Sequence, residues 1–235
     1  MKTRRRTLVV FSLVLAVGVT GIVWWMLAPS EPEYDGKNLS TWLDEIGTLD
    51  YTKRTDPNIP QVQAVRAIGT NAIPWLLKDL SADGGMLQWR ANLLLNKQNV
   101  IKYCFPSALD RLTRVAIGFG ALGELGEPAI PRLLTLVEDQ PGHVPGALAR
   151  IGRPAIPALQ QCLTNTTLYT NSLGVYAIIP GNTISDIYNA TSLGPFSRSD
   201  IEVFIPVIET WAAQSTNAQA QRKAIWFLDH LDQLE

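Results

Sequence analysis

Apolar positions in this chain recur mostly three or four residues apart, the spacing that buries one face of a helix. Leu39, Trp42, Leu43 and Ile46 form the first such face, on a helix beginning at Asn38. Val62, Val65, Ala67 and Ile68 form the next, followed by Leu76, Leu77 and Leu80. Leu87, Ala91, Leu94 and Leu95 predict a helix over 86–97. Leu109, Leu112, Val115, Ala116, Phe119 and Leu122 predict a long one over 106–124. Pro141, Gly142 and Pro145 shorten the following helix to 144–151. Short helices are expected over 184–190 and 200–213. The last helix, over 217–231, buries Ala220, Ala224, Phe227, Leu228 and Leu231. Residues 47–59 are polar and read as a loop. Val175–Ile179 is the one β-prone run.

A short phrase punctuates these helices. It reads Ile68-Gly69-Thr70-Asn71-Ala72-Ile73-Pro74-Trp75-Leu76-Leu77, then Leu125-Gly126-Glu127-Pro128-Ala129-Ile130-Pro131-Arg132-Leu133-Leu134, then Ile151-Gly152-Arg153-Pro154-Ala155-Ile156-Pro157-Ala158-Leu159. A looser copy, Phe204-Ile205-Pro206-Val207-Ile208, lacks the glycine. Each glycine suits the position after a helix C-terminus, where φ turns positive. Asn71 suits an N-cap, and Pro128 and Pro154 a first helical position. The second proline falls in an opening turn, where N–H groups have no partner within the helix. Each phrase therefore marks two helices meeting in a hairpin. Pro74, Pro131, Pro157 and Pro206 lie 57, 26 and 49 residues apart, scattered about the roughly 40–47-residue period of stacked helical-hairpin repeats.

The phrase resembles the HEAT and HEAT-like (phycobilisome-lyase-type) repeats of bacterial proteins. Tyr34-Asp35-Gly36-Lys37-Asn38-Leu39-Ser40-Thr41-Trp42-Leu43 resembles a Tyr-x-Gly-Lys-x-Leu-Ser-x-Trp-Leu segment of membrane-anchored HEAT-repeat proteins. The resemblance covers most of 34–164. It implies a binding role and no particular reaction. The expected fold is all-α: an α-solenoid of degenerate HEAT-like hairpins over 38–235, preceded by one N-terminal transmembrane helix.

That helix is expected at 7–28, a 22-residue stretch without charge that ends on Trp24-Trp25-Met26-Leu27-Ala28. At 1.5 Å per residue it spans a hydrocarbon core of about 30 Å. Lys2, Arg4, Arg5 and Arg6 precede it and place residues 1–6 in the cytoplasm. The body, beyond a linker at 29–37, then lies outside the inner membrane. Cleavage as a signal peptide near Ala28-Pro29-Ser30 is the alternative. The residues after 28 carry 16 Lys and Arg against 21 Asp and Glu. An acidic body argues against nucleic acid as partner, because phosphate recognition needs a basic stripe. A composition of 46% hydrophobic and 17% charged residues excludes a disordered chain.

Catalytic signatures are missing. His143 and His230 have no ligand-type residue at metal spacing. Gly118, Gly120 and Gly123 lie in a helical pattern rather than a phosphate loop. Asp44-Glu45 and Glu138-Asp139 are adjacent pairs that diverge on a helix and read as solvated surface. Cys104 and Cys162 read as buried thiols, with one disulfide as the alternative. Trp42 reads as a core contact, with a ligand-stacking ring as the alternative. No catalytic, cofactor or metal residue is expected. Residues 154–197 contain one charged side chain, Asp186, and three tyrosines. Low charge with tyrosines resembles interface composition. Tyr169, Tyr176, Tyr188 and Phe196 are therefore the candidate partner-binding residues. The function expected is a membrane-tethered scaffold that binds an envelope protein. The alternative is a tetrapyrrole-handling lyase or lyase accessory, with its pocket in 165–196.

Overall fold

The computed structural model describes residues 31–81, 108–165, 168–170, 176–215 and 217–233. The anchor expected at 7–28, the helix expected at 86–97, and Cys104 lie outside them. Among the described residues no helix is long and apolar enough to cross a membrane. The described chain is mostly helical, as the spacing of apolar positions requires.

A two-stranded hairpin, β1 (Glu33–Tyr34) and β2 (Lys37–Asn38), leads into α1 (Leu39–Gly47). Leu39, Trp42, Leu43 and Ile46 are buried on one face of α1. The Trp42 indole donates to the Tyr34 carbonyl at 3.1 Å, and Lys37 lies 4.3 Å over its ring. Trp42 thus belongs to the core and fastens the β-hairpin to it. Asp44 and Glu45 diverge as neighbours on a helix must, but both find partners. Arg114 grips Asp44 with two bonds of 2.7 Å, and Lys37 meets Glu45 at 2.5 Å.

α2 (Pro60–Ile68) and α3 (Ile73–Ser81) form the first phrase-marked hairpin. α2 buries Val62, Ala64, Val65 and Ile68, whereas Ala67 is exposed. Gly69 turns to φ 62° as expected. Asn71, expected as an N-cap, instead sits in a single 3-10 turn over Gly69–Ala72, and α3 starts after it. α4 (Ala108–Leu122) and α5 (Ile130–Leu136) form the second hairpin. Here the positive φ falls on Gly123, at 56°, and not on Gly126. A 3-10 segment over Gly123–Ala129 holds Pro128 and carries the chain to α5. Gly126 serves close packing: a Cβ there would stand 3.0 Å from Ile151 and 3.3 Å from Phe119.

α6 (Val144–Ile151) and α7 (Ile156–Thr164) form the third hairpin. Gly152 joins them at φ 86°, and Pro157 lies in the first turn of α7. Next comes an antiparallel pair, β3 (Leu168–Thr170) with β4 (Tyr176–Ile178), paired Leu168 to Ile178 and Thr170 to Tyr176. The β-prone run therefore does form a strand. Ile179 does not extend it; it opens α8 (Ile179–Ser192), which is twice the length expected over 184–190. The helix expected over 200–213 is two, α9 (Arg198–Glu202) and α10 (Ile205–Gln214). Ser197 and Asp200 close a reciprocal capping box on α9, and Arg153 adds a 3.0 Å bond to Asp200. α11 (Ala218–Asp229) ends the described helices, capped by Asn217 accepting from Gln219 and Ala220.

The first helices of successive pairs pack on one another: α4 on α6, α6 on α8, and α8 on α11. The second helices do so in part, α3 on α5 and α7 on α10. One continuous core runs between the two sets, with Phe119, Phe204 and Phe227 among its fully buried side chains. The fold positions a loop as well. Residues 48–59 leave α1 and reach across to α8, where Thr55 donates to the Leu193 carbonyl at 3.4 Å.

Candidate functional site

Two adjoining cavities, of about 290 and 310 Å³, open along one side of α4. They share Thr55, Gly120, Arg150 and Leu193, which stand between them, and together form a two-part trough. Leu112 and Thr113 line its start and Gly123 and Glu124 its end. At 1.5 Å per residue, Leu112 to Gly123 is roughly 16 Å of helix.

Three arginines face the trough, and each is held by a backbone carbonyl. Arg54 donates to Gly47 at 2.9 Å and to Leu49 at 3.1 Å, closing the C-terminal end of α1. Arg66 donates through Nε to Ala121 at 2.8 Å, at the end of α4. Arg150 donates through Nη1 to Gly146, one turn back on α6, at 3.1 Å. For Arg54 and Arg66 the acceptors lie at helix C-termini, whose carbonyl oxygens the helix dipole leaves negative and unpaired. Each anchored guanidinium keeps further N–H groups on its planar fork.

The acidic groups are fewer. Asp186, on α8, lines the trough beside Arg150. A Cβ built on Gly146 would stand 3.2 Å from the Arg150 Nη1 and 3.4 Å from the Asp186 carboxyl, so that glycine is what lets the two approach α6. Burial pushes the Asp186 carboxyl up to about 6, while Arg150 and Lys223 pull it down. Its own partial burial lowers the Lys223 ammonium, against the pull of Asp186, and Lys223 donates to Asn182 at 3.3 Å. Glu124 lies at the other end. Gly120 forms the floor between Thr55 and Arg150: a Cβ there would meet them at 3.2 and 3.5 Å. An arrangement of fixed guanidinium groups over a glycine floor can bind an anion. Among the described residues that line it, no hydrogen bond joins a hydroxyl to His143.

The residues nominated by sequence are not among those that line the trough. Phe196 is buried at 4% exposure, its ring edge-on to Phe204 at 6.1 Å. Tyr188 is half-buried, edge-on to Trp226 at 4.5 Å and to Phe227 at 6.1 Å. Both rings spend their surface on internal packing. Tyr169 and Tyr176 lie on β3 and β4, one residue out of register with each other. Compared with family models, curated proteins and solved structures, the chain matches none. Among the described residues no cluster of three His, Cys, Asp or Glu is set to hold a metal ion. Cys162 is a buried thiol whose burial pushes its pKa up to about 11, which makes it unreactive near neutrality.

The trough escaped the sequence because its residues come from five separated stretches, at 51–57, 66, 112–124, 142–151 and 186–195. Two signals pointed to it. Asp186 is the one charge in a long neutral run, and a lone charge on a helix that buries Ile184 and Ile187 needs a partner. Gly146 interrupts a short helix where alanine would be more stable, which marks a close approach.

Proposed function

We propose that this chain is a membrane-tethered HEAT-like α-solenoid that binds a protein of the bacterial envelope, with the trough along α4 as its binding face. The observation that supports the reading is the packing of α4 on α6, α6 on α8 and α8 on α11, the side-by-side order expected of stacked hairpins. Repeats of this kind use their extended surfaces for recognition. The membrane tether is residues 7–28, argued from their length and apolarity, with the basic residues before them on the cytoplasmic side and the body outside the inner membrane. The β3–β4 hairpin, carrying Tyr169 and Tyr176, is the competing surface.

Photo-crosslinking in intact cells separates the two. A benzoyl-phenylalanine placed at Tyr51 or Thr113, both exposed on the trough, is expected to capture an envelope protein. The same group at Arg132 or Glu209, exposed on second helices, is expected to capture none. Capture from Tyr169 alone moves the binding face to the hairpin. Capture from all positions equally removes the assignment.

A further inference from the structure

We propose that the trough along α4 takes an extended, carboxylate-bearing peptide segment of about five residues, gripped by Arg66, Arg150 and Arg54. The inference rests on the trough being the binding face and adds the chemistry of what fills it.

Charge carries the first part of the argument. The residues after 28 are acidic by five charges, yet the trough presents three guanidinium groups against two carboxylates, Asp186 and Glu124. A basic strip in an acidic body draws an anionic ligand to itself, because the surrounding surface repels that ligand everywhere else. Preorganisation carries the second. Arg54, Arg66 and Arg150 are each fixed by a carbonyl acceptor before any ligand arrives. Little rotamer freedom is left to lose on binding, and a planar fork matches a carboxylate in two bonds.

Shape carries the third. The trough follows α4 for roughly 16 Å, which an extended chain at about 3.3 Å per residue covers in five residues. Gly120 keeps the divide between the two cavities low, since a Cβ there would press on Thr55 at 3.2 Å and Arg150 at 3.5 Å. Small anions would use one arginine and leave the rest of the channel unfilled. Asp186 at the end near α8 and Glu124 at the end near Arg66 both repel a carboxylate, so the acidic side chains of the segment fall on the guanidinium groups between them.

The test uses the full chain in detergent micelles and a rhodamine-labelled pentapeptide alternating glutamate with serine. Its lysine counterpart and citrate serve as comparisons. Fluorescence anisotropy is expected to show saturable binding of the acidic peptide, weakening as salt rises from 50 to 300 mM (concentrations chosen about the Debye-length change), and none of the lysine peptide. Arg150→Gln and Arg66→Gln should each weaken binding about tenfold, the loss expected of one charge-assisted contact. Because Arg66 also closes the end of α4, Thr113→Glu provides a variant at an exposed rim position. It should abolish binding with the helical circular-dichroism signal unchanged. Unchanged affinity in Arg150→Gln and Thr113→Glu overturns the proposal. So does citrate displacing the peptide at equal affinity, which makes the trough a small-anion site. Photo-crosslinks from the trough without acidic-peptide binding overturn the ligand class and leave the binding face standing. Crosslinks only from elsewhere overturn both.

Discussion

At Asp186 a carboxyl group that water would ionise near pH 4 is held up to about 6 by burial. Between those values the folded chain binds more proton than the unfolded one, so stability falls as pH rises through that window. Above it the penalty is fully present, on the order of 2–3 kcal/mol at about 1.4 kcal/mol per pKa unit. Asp186→Asn should therefore raise the urea midpoint at pH 7.5 and leave it unchanged at pH 4. Arg150 and Lys223 are the charges that oppose the shift, and His143 lines the same cavity, so parent and variant are compared at each pH. A midpoint that does not rise at pH 7.5 would show that the carboxylate contributes as much through those partners as its burial costs. Gly118 makes a second case. A Cβ there would lie 2.5 Å from Leu76, which is 1% exposed. Alanine's helix propensity, worth about 1 kcal/mol, is outweighed by overpacking of about 1–3 kcal/mol. Gly118→Ala should destabilise, and Leu76→Val on the same chain should recover part of the loss in a double-mutant cycle. In the sequence Gly118 reads only as a residue within a helical pattern. Only the packing partner, from another helix, gives its reason.

The hairpin elements were largely legible. α1, α2, α3, α6 and α11 begin and end within a residue or two of the apolar pattern, because buried stripes and the Gly and Ala-Ile-Pro punctuation agree. Where they disagree, geometry decided. At Gly126 the phrase looks the same as at Gly69 and Gly152, but the positive φ moved to Gly123 and a 3-10 segment took up the difference. The stretch after α7 was least legible. Its tyrosines and β-branched residues suit strand and helix alike, and β4 passes into α8 between Ile178 and Ile179. The two junction glycines also differ in surroundings. Gly69, at φ 62° and ψ −139°, has open space where a Cβ would stand. Gly152, at φ 86° and ψ −142°, has the Pro195 carbonyl at 3.2 Å. Both angles lie near a region that only glycine occupies cheaply, at about 1–3 kcal/mol for other residues. Gly69→Ala should show that backbone cost alone. Gly152→Ala should cost more, because the Pro195 contact adds to it. Urea denaturation of the two variants side by side checks the order, and equal losses would mean Pro195 yields freely.

For the whole molecule, the sequence-derived tether is testable apart from the body. N-terminal sequencing of membrane-extracted protein is expected to begin at or next to Met1. A start near Glu31 would replace the anchor with a cleaved signal and keep the export. The body's helical class was readable because apolar spacing is local. The trough was not, because it is assembled from loop 48–59, α4, α6 and the end of α8, which only the fold brings side by side.

The reach of Thr55 to the Leu193 carbonyl joins positions 138 residues apart. In a plain stack of repeats each unit leans only on its neighbours, and the ends fray independently. Here the loop after α1 latches onto the turn that ends α8, with Arg54, Thr55 and Leu193 sharing a wall. The loop after α1 and the end of α8 are then fastened to each other like the two halves of a clasp. Opening the clasp should loosen both at once, so amide hydrogens at the end of α1 and the end of α8 should exchange with the same opening free energy. Separate exchange rates there would mean the clasp is a touch without a hold. A ligand lying across it would tighten both halves of the clasp at once.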